Sequence, residues 1–428
     1  MLFVLMILLV YRLGAVIPVP FVNSDTLAET FNSASGSIFQ YLNIMSGEAF
    51  SRATLFALSV QPYITASIVM QLLTIAIPAL ERLQSQGEEG RKKITTITRY
   101  VTVGLGLITS YGYYAYIKST GALISMTSQG QKVLAALVII ACYSAGSALV
   151  MWMAEKINEF GIGNGISLII MAGIVARMPS AIHQAFVKLQ DGTVSIISII
   201  IFAIFAIAVI VGIIEVQQGT RKIPVQYAKR IVGNKQYGGA RQYIPLKVNA
   251  AGVMPIIFAQ AIMFIPITFI GFSNTNNVSG FVHAFTDHTS FWYNFVFAVM
   301  IILFTYFYTA ITINPTQMAE DMKRNNGFIP GIKPGKKTAE YIDDIMSRIT
   351  LPGSFFLAFI AIMPAFAGIF GVKAEFAQFF GGTSLLILVG VVLDTLQQVE
   401  SHLLMRHYDG LLKSGRIKGR TGSSVAAY

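Results

Sequence analysis

Residues able to do chemistry are scarce in this chain, and their spacing excludes most catalysis. The five His are His183, His283, His288, His402 and His407. None falls in a metal-binding spacing such as H-E-x-x-H. The single Cys, Cys142, excludes a disulfide framework and a Cys-built metal centre. Gly161-Ile162-Gly163-Asn164-Gly165 has the glycine content of a phosphate loop. It follows an apolar run instead of a strand, however, and no Gly-Lys-Ser/Thr comes after it, so it reads as a tight turn leading into a helix. No Ser or Asp motif reads as an intramembrane protease. No catalytic residue, metal or cofactor is expected, and the chain reads as something other than an enzyme.

Ion-coupled transport of a small solute would need ionisable residues at mid-membrane. Arg12, Glu215 and Asp394 are the candidates within or near apolar runs, and pairing or hydrogen bonding inside a helical bundle accounts for Arg12 and Asp394 more simply than coupling does. Uncharged polar residues are commoner there: Gln61, Thr65, Ser67, Gln71 and Gln260. In membranes such groups join helices by hydrogen bonds, and they also suit a helix seam that opens.

The elements that must position these residues are membrane helices. Only 12% of the 428 residues are charged, against 54% hydrophobic, and the mean hydropathy is +0.64. A soluble globular chain carries about a quarter charged residues. A spanning helix needs about 20 mostly apolar residues. Such runs occur at about 2–20, 54–80, 94–117, 133–153, 163–183, 194–216, 250–271, 291–313, 349–370 and 383–404. Transmembrane barrels show short alternating segments instead. The first run lacks a basic leader and a small-residue cleavage site and continues into Pro18 and Pro20, so it reads as a first membrane helix and not as a signal peptide. The fold class is therefore an all-α membrane protein with ten spans. It divides into an N-terminal half, 1–183, and a C-terminal half, 194–404, with a tail at 405–428. Five is odd, so the halves are inverted with respect to each other, an arrangement that usually encloses a pathway.

The net charge is +11, and most basic residues lie in the loops after even-numbered spans and in the tail. The odd-numbered loops hold only Arg52, Lys118, Lys132, Arg177, Lys188 and Lys373. By the positive-inside rule both termini and the two long loops, 217–249 and 314–348, are cytoplasmic. Loop 217–249 carries Arg221, Lys222, Lys229, Arg230, Lys235 and Arg241, mixed with β-branched, aromatic, Pro and Gly residues, and reads as a structured hairpin. Loop 314–348 carries Lys323, Arg324, Lys333, Lys336 and Lys337. It reads as a short helix before Asn325-Asn326-Gly327 and then a turn-rich tip. Anionic lipid attracts charge that hugs the membrane. A basic projection of this length also suits an acidic protein or an RNA surface. Residues 37–51 lie in the outer loop between the first two spans, too short to cross and too apolar for an ordinary loop. Such a segment is re-entrant or lies on the membrane surface. Ile38, Phe39, Leu42 and Met45 share one helical face in it.

In this order, several motifs resemble the SecY family, the channel subunits of the bacterial Sec protein-translocation complex. They are Arg12-Leu13-Gly14 with Ile17-Pro18-Val19-Pro20, Pro62-Tyr63-Ile64-Thr65-Ala66-Ser67, Gly90-Arg91-Lys92-Lys93-Ile94 with Thr98-Arg99-Tyr100, Gly161 to Ser167, Pro245-Leu246-Lys247-Val248-Asn249 with Ala251-Gly252, Asn314-Pro315, and Phe328-Ile329-Pro330-Gly331-Ile332-Lys333-Pro334-Gly335. The resemblance implies two five-helix halves around an hourglass pore, with 37–51 as a plug. It implies an apolar pore ring at Val60, Ile64, Ile170, Ile174, Ile257 and Ile387. It also implies a lateral gate between helices 2 and 3 and helices 7 and 8, where Gln71 and Gln260 are seam residues. The basic loops resemble docking sites for the ribosome and the SecA ATPase. SecE, SecG, secretory preproteins and their signal sequences are the further partners implied, and the location is a bacterial cell membrane. Lys333 stands where the family commonly has Arg, which keeps the charge but loses the planar fork, and the short segment that the family has before helix 1 is not seen. The other reading kept open is an ion-coupled secondary transporter of a small solute.

Overall fold

The structure, a computed structural model, describes residues 2–33, 43, 46–124, 128–190, 196–227, 230–232, 235–237, 241–272, 290–369 and 383–413. The helices are α1 Leu2–Gly14, α2 Ser24–Ser33, α3 Gln61–Ala76, α4 Pro78–Ser85, α5 Glu88–Ser119, α6 Gln129–Phe160, α7 Gly165–Gln190, α8 Ile196–Gln218, α9 Met254–Phe272, α10 Phe291–Thr312, α11 Pro315–Arg324, α12 Lys336–Ile369 and α13 Thr383–Lys413. The strands are β1 Thr220–Tyr227, β2 Arg230–Val232, β3 Lys235–Tyr237, β4 Arg241–Lys247 and β5 Gly327–Phe328.

Every one of the ten apolar runs carries a helix. α8 is so rich in Ile and Val that in water it would favour a strand. In hydrocarbon, a helix satisfies all backbone groups within one segment. Among the described residues, four helices qualify as spans on their own by length and apolarity, and the bent pair α3–α4 makes a fifth. The threonines along these helices return their hydroxyls to the preceding turn: Thr74 Oγ1 to Met70 O and Thr305 Oγ1 to Ile301 O, both at 2.7 Å. This satisfies the donor without an outside partner.

The second run departs from expectation. Its helix starts at Gln61, not near 54, and residues 46–60 form a succession of turns. Gly47, Glu48, Ala53 and Ser59 have positive φ. Pro62 sets the helix start, because it lacks the N–H that an inner turn would need. Irregular backbone is tolerated at membrane depth only where protein covers it. Here Leu55 N–H donates to Ile17 O at 2.9 Å and Val19 N–H to Ala53 O at 3.1 Å. Tyr113 Oη donates to Phe50 O, and Tyr143 Oη to Ala53 O at 3.4 Å. Phe50, Ala53 and Ala57 are buried with Leu27, Tyr113, Ile139 and Tyr143 in one cluster. At the other end of α3, Ile77-Pro78 turns the chain by 104° into α4.

Gly146 on α6 is what lets this irregular segment seat. A Cβ there would fall on the Leu55 carbonyl. Gly146→Val is expected to destabilise the fold by about 1–3 kcal/mol through overpacking, seen as a lower Tm in detergent. Gly104→Ala, where a Cβ meets nothing within 4 Å, serves as the unchanged control.

The first half, α1–α7, is held by α3 on α5, α5 on α6, α6 on α7 and α1 on both α6 and α7. In the second half α9 packs on α10, α10 on α12 and α8 on α13. The halves meet along two seams, α3 and α5 against α9, and α7 against α13.

Both long loops are folded, and together. β1 and β4 form the expected hairpin, in register from Thr220 opposite Lys247 to Gln226 opposite Arg241. Asn314 caps α11 by accepting from Thr316 N–H at 3.1 Å and Gln317 N–H at 3.2 Å. Beyond expectation, β5 of the other loop adds to the hairpin, Gln226 pairing Phe328 and Tyr227 pairing Gly327, in the order β4-β1-β5. A Cβ at Gly327 would stand 3.0 Å from the Tyr227 ring, so this crossing needs a small residue. The last stretch of the expected loop 314–348 is also helical, since α12 already begins at Lys336.

Candidate functional site

The six residues expected to form a pore ring are spread over four helices. Val60 and Ile64 stand at the start of α3, Ile170 and Ile174 on α7, Ile257 on α9 and Ile387 on α13. The spacing i, i+4 puts each pair on one helical face. All six are buried, none more than 4% exposed, and belong to a single apolar cluster that unites both halves.

On the face that carries the β-sheet, a cavity of about 680 Å³ opens between the halves. Its wall mixes polar residues, among them Asn164, Lys247, Asn249 and Asp394, with apolar ones such as Val253, Met254 and Val391. Ser167 is one turn from Ile170 on α7, Met254 one turn from Ile257 on α9, and Val391 one turn from Ile387 on α13. The wet cavity therefore ends on the apolar cluster. The run Gly161–Gly165 makes the expected turn at its rim, Gly163 with φ 98°. Asn164 Oδ1 accepts Ile166 N–H at 3.1 Å, and Gly163 N–H donates across the seam to Gln398 Oε1 at 2.8 Å. Lys247 Nζ donates to Gln397 Oε1 at 3.1 Å. Asp394 thus lines the same cleft as the Lys247 cation.

Gln71 lies on α3 and Gln260 on α9, both half-buried, on the two helices that form one seam between the halves. Ile38, Phe39, Leu42 and Met45 lie outside the described residues, as does Lys229. Arg221 and Lys222 on β1, Lys323 and Arg324 on α11, and Lys333, Lys336 and Lys337 after β5 are exposed on the sheet-bearing face. Arg230, Lys235 and Arg241 belong to β2, β3 and β4. One buried cluster, Ile223, Val225, Leu246, Met322, Ile329, Ile342 and Met346, joins the two loops beneath these charges.

Arg12 Nη1 donates to Gly47 O at 3.0 Å, the internal bonding expected of it. Two ion pairs escaped sequence reasoning. Arg177, counted above with the loop charges, lies inside α7 and pairs with Glu48. Arg99 on α5 pairs with Glu155 on α6 at 2.8 Å. Charges inside apolar runs were the available signal, but one sequence does not say which acid meets which base.

The fold defines a polytopic helical membrane protein whose two halves share one apolar cluster, with a cavity open between them on the sheet-bearing face. The SecY family profile matches residues 54–396. The chain is 42% identical over 422 residues to the protein translocase subunit SecY of Thermus thermophilus, covering 98% of this chain and 95% of that one. It is 40% identical over 415 residues to the subunit of the same name from Aquifex aeolicus, covering 96% and 95%. Among solved structures it resembles one described as a protein-conducting channel, with TM-score 0.67, 18% identity and coverage of 99% and 94%. It also resembles Sec61 in a canine ribosome–channel complex, with TM-score 0.61, 17% identity and coverage of 99% and 94%. The chain belongs to the SecY family.

Proposed function

We propose that this chain is the central subunit of a protein-conducting channel in a bacterial cell membrane. It passes unfolded secretory polypeptides between its halves and releases hydrophobic segments sideways into lipid. The observation that carries the reading is that Val60, Ile64, Ile170, Ile174, Ile257 and Ile387, carried on four helices of both halves, are all buried in one apolar cluster beside a cavity open between the halves. A narrow apolar ring offers ions no replacement for hydration and dewets. It also binds no particular side chain, so it suits a passage for many sequences. The α3–α9 seam with Gln71 and Gln260 is the exit into lipid, driven by apolar transfer. Residues 37–51 are the plug on the outer side.

The sheet-bearing face and both termini are cytoplasmic in this reading. The shared β4-β1-β5 platform docks the ribosome or the SecA ATPase, which supply the energy that the chain does not generate. SecE and SecG complete the complex. A resemblance to a channel bound to the yeast 80S ribosome, with TM-score 0.61, supports a platform of this shape. The solute-transporter reading loses its support, because the family profile over residues 54–396 is that of SecY and Arg12 is bonded to Gly47 O.

The test is a crosslink. Cys142 is replaced by Ala, a single Cys is placed at Ile64 or Ile257, and a secretory precursor with one Cys is stalled during translocation. A disulfide is expected only with the stalled chain. None at either position, in an assembled complex with its motor bound, would remove polypeptide from the ring.

A further inference from the structure

Arg177 lies on α7 one helical turn beyond the ring residue Ile174. A cation at that depth is costly unless paired. Its Nε stands 3.3 Å from Glu48 Oε1, and the two side chains are only 19% and 24% exposed. Glu48 is held at φ 71°, a backbone conformation that costs a residue with a Cβ and persists only when its surroundings impose it. The surroundings here are specific. Arg12 Nη1 donates to Gly47 O at 3.0 Å, and Glu48 N–H donates to Asn43 O at 2.9 Å. A Cβ on Gly47 would stand 2.8 Å from Arg12 Nη1 and 3.0 Å from Gly173 O, so this turn abuts the α7 backbone. Two guanidiniums from two different helices thus converge on two consecutive residues of a strained turn, beside an apolar ring.

We propose that Arg177 is a positioning residue for the closed channel. Its guanidinium clasps Glu48 and, with Arg12 on Gly47, ties residues 46–54 to the wall formed by α7 and α1. The clasp rests on the reading of 37–51 as the plug, whose described end, 46–51, continues into the turn at 52–54 as its foot. It forms only while the foot lies against Gly173, so it stabilises the closed arrangement alone and shifts the closed–open equilibrium by its whole strength. Arg52 also pairs with Glu48, at 2.8 Å, but it is 61% exposed and belongs to the same segment. That pair travels with the foot and fixes nothing to the wall.

The experiment is resting ion leak through the complex, purified with the small subunits that co-isolate with it and reconstituted into lipid vesicles. Arg177→Met is expected to raise the leak about five- to tenfold, the size of an ordinary coupling between two sites. Glu48→Gln gives a similar rise, and the double variant gives no more than the larger single, because both remove one interaction. Arg177→Lys retains most of the closure, and Arg52→Gln stays at the wild-type level. Translocation of a preprotein with a weakened signal sequence rises in parallel in Arg177→Met, since less differential binding is then needed to open the channel. A wild-type leak in an assembled Arg177→Met complex, alongside a raised leak when residues 38–50 are deleted, overturns the clasp. An unchanged leak in the deletion itself overturns the plug reading instead. Should Arg177→Met fail to assemble, Glu48→Gln decides: a wild-type leak in that complex overturns the clasp. Additive effects in the double variant overturn the pairing.

Discussion

Ile257→Asp is expected to raise the resting ion conductance of the reconstituted complex by at least about tenfold, whereas Ile257→Leu leaves it unchanged. The barrier to ions in such a ring is the absence of anything that replaces water. Ile257 is 4% exposed, and its neighbours in the cluster are equally apolar. A carboxylate there is not left dry, because its desolvation penalty is several kcal/mol. It draws water down from the polar cavity, which ends one turn away at Met254. Ile387→Asp should act in the same way from the other wall, on α13. Passage of polypeptide should survive in both variants, because the ring excludes ions by dryness and does not grip the chain. Conductance at the wild-type level in both would place the ion barrier elsewhere along the path.

Much of this architecture was legible in the sequence because hydrocarbon leaves the backbone few choices. Each long apolar run had to hold a helix, and each carries one. The β1–β4 hairpin was legible from its β-branched residues and turn chemistry, and the turn at Gly161–Gly165 from its glycines. The segment before α3 was not. Residues 54–60 are as apolar as a helix, and only covering protein from α1, α5 and α6 allows them another conformation. That is a tertiary fact with no local signature. Arg177 was misplaced for a related reason. Counting charges by loop assumes that a basic residue lies outside the span, and a buried partner such as Glu48 removes that constraint. The ring was proposed through the family resemblance alone. Val60, Ile64, Ile170, Ile174, Ile257 and Ile387 are the commonest kind of residue in such helices, and nothing local sets them apart.

The union of the two basic loops was equally illegible, because β5 is two residues long and its partner lies about a hundred residues earlier in the chain. It leads to the second large effect. Val225→Asp is expected to abolish docking of the ribosome or the motor, although Val225 is 1% exposed and touches neither. Val225 belongs to the small apolar cluster under the sheet, with Ile223, Leu246, Met322, Ile329, Ile342 and Met346. A carboxylate buried there without a partner costs about 3–5 kcal/mol, which a sheet and one short helix do not absorb. β1 would part from β5 and α11 from α12, and the charges of the two loops would lose their common frame. Reversing one exposed charge, as in Lys222→Glu or Lys333→Glu, should instead weaken docking severalfold and in a salt-dependent way, because each is one contact among several. The measurement is co-sedimentation of the complex with ribosomes, and binding of the motor, at two salt concentrations. Loss at both salts for Val225→Asp, with salt-graded weakening for the surface reversals, means that the platform acts as one rigid unit. Val225→Asp binding as well as wild type would mean that each loop docks independently and that the shared sheet is incidental to recognition.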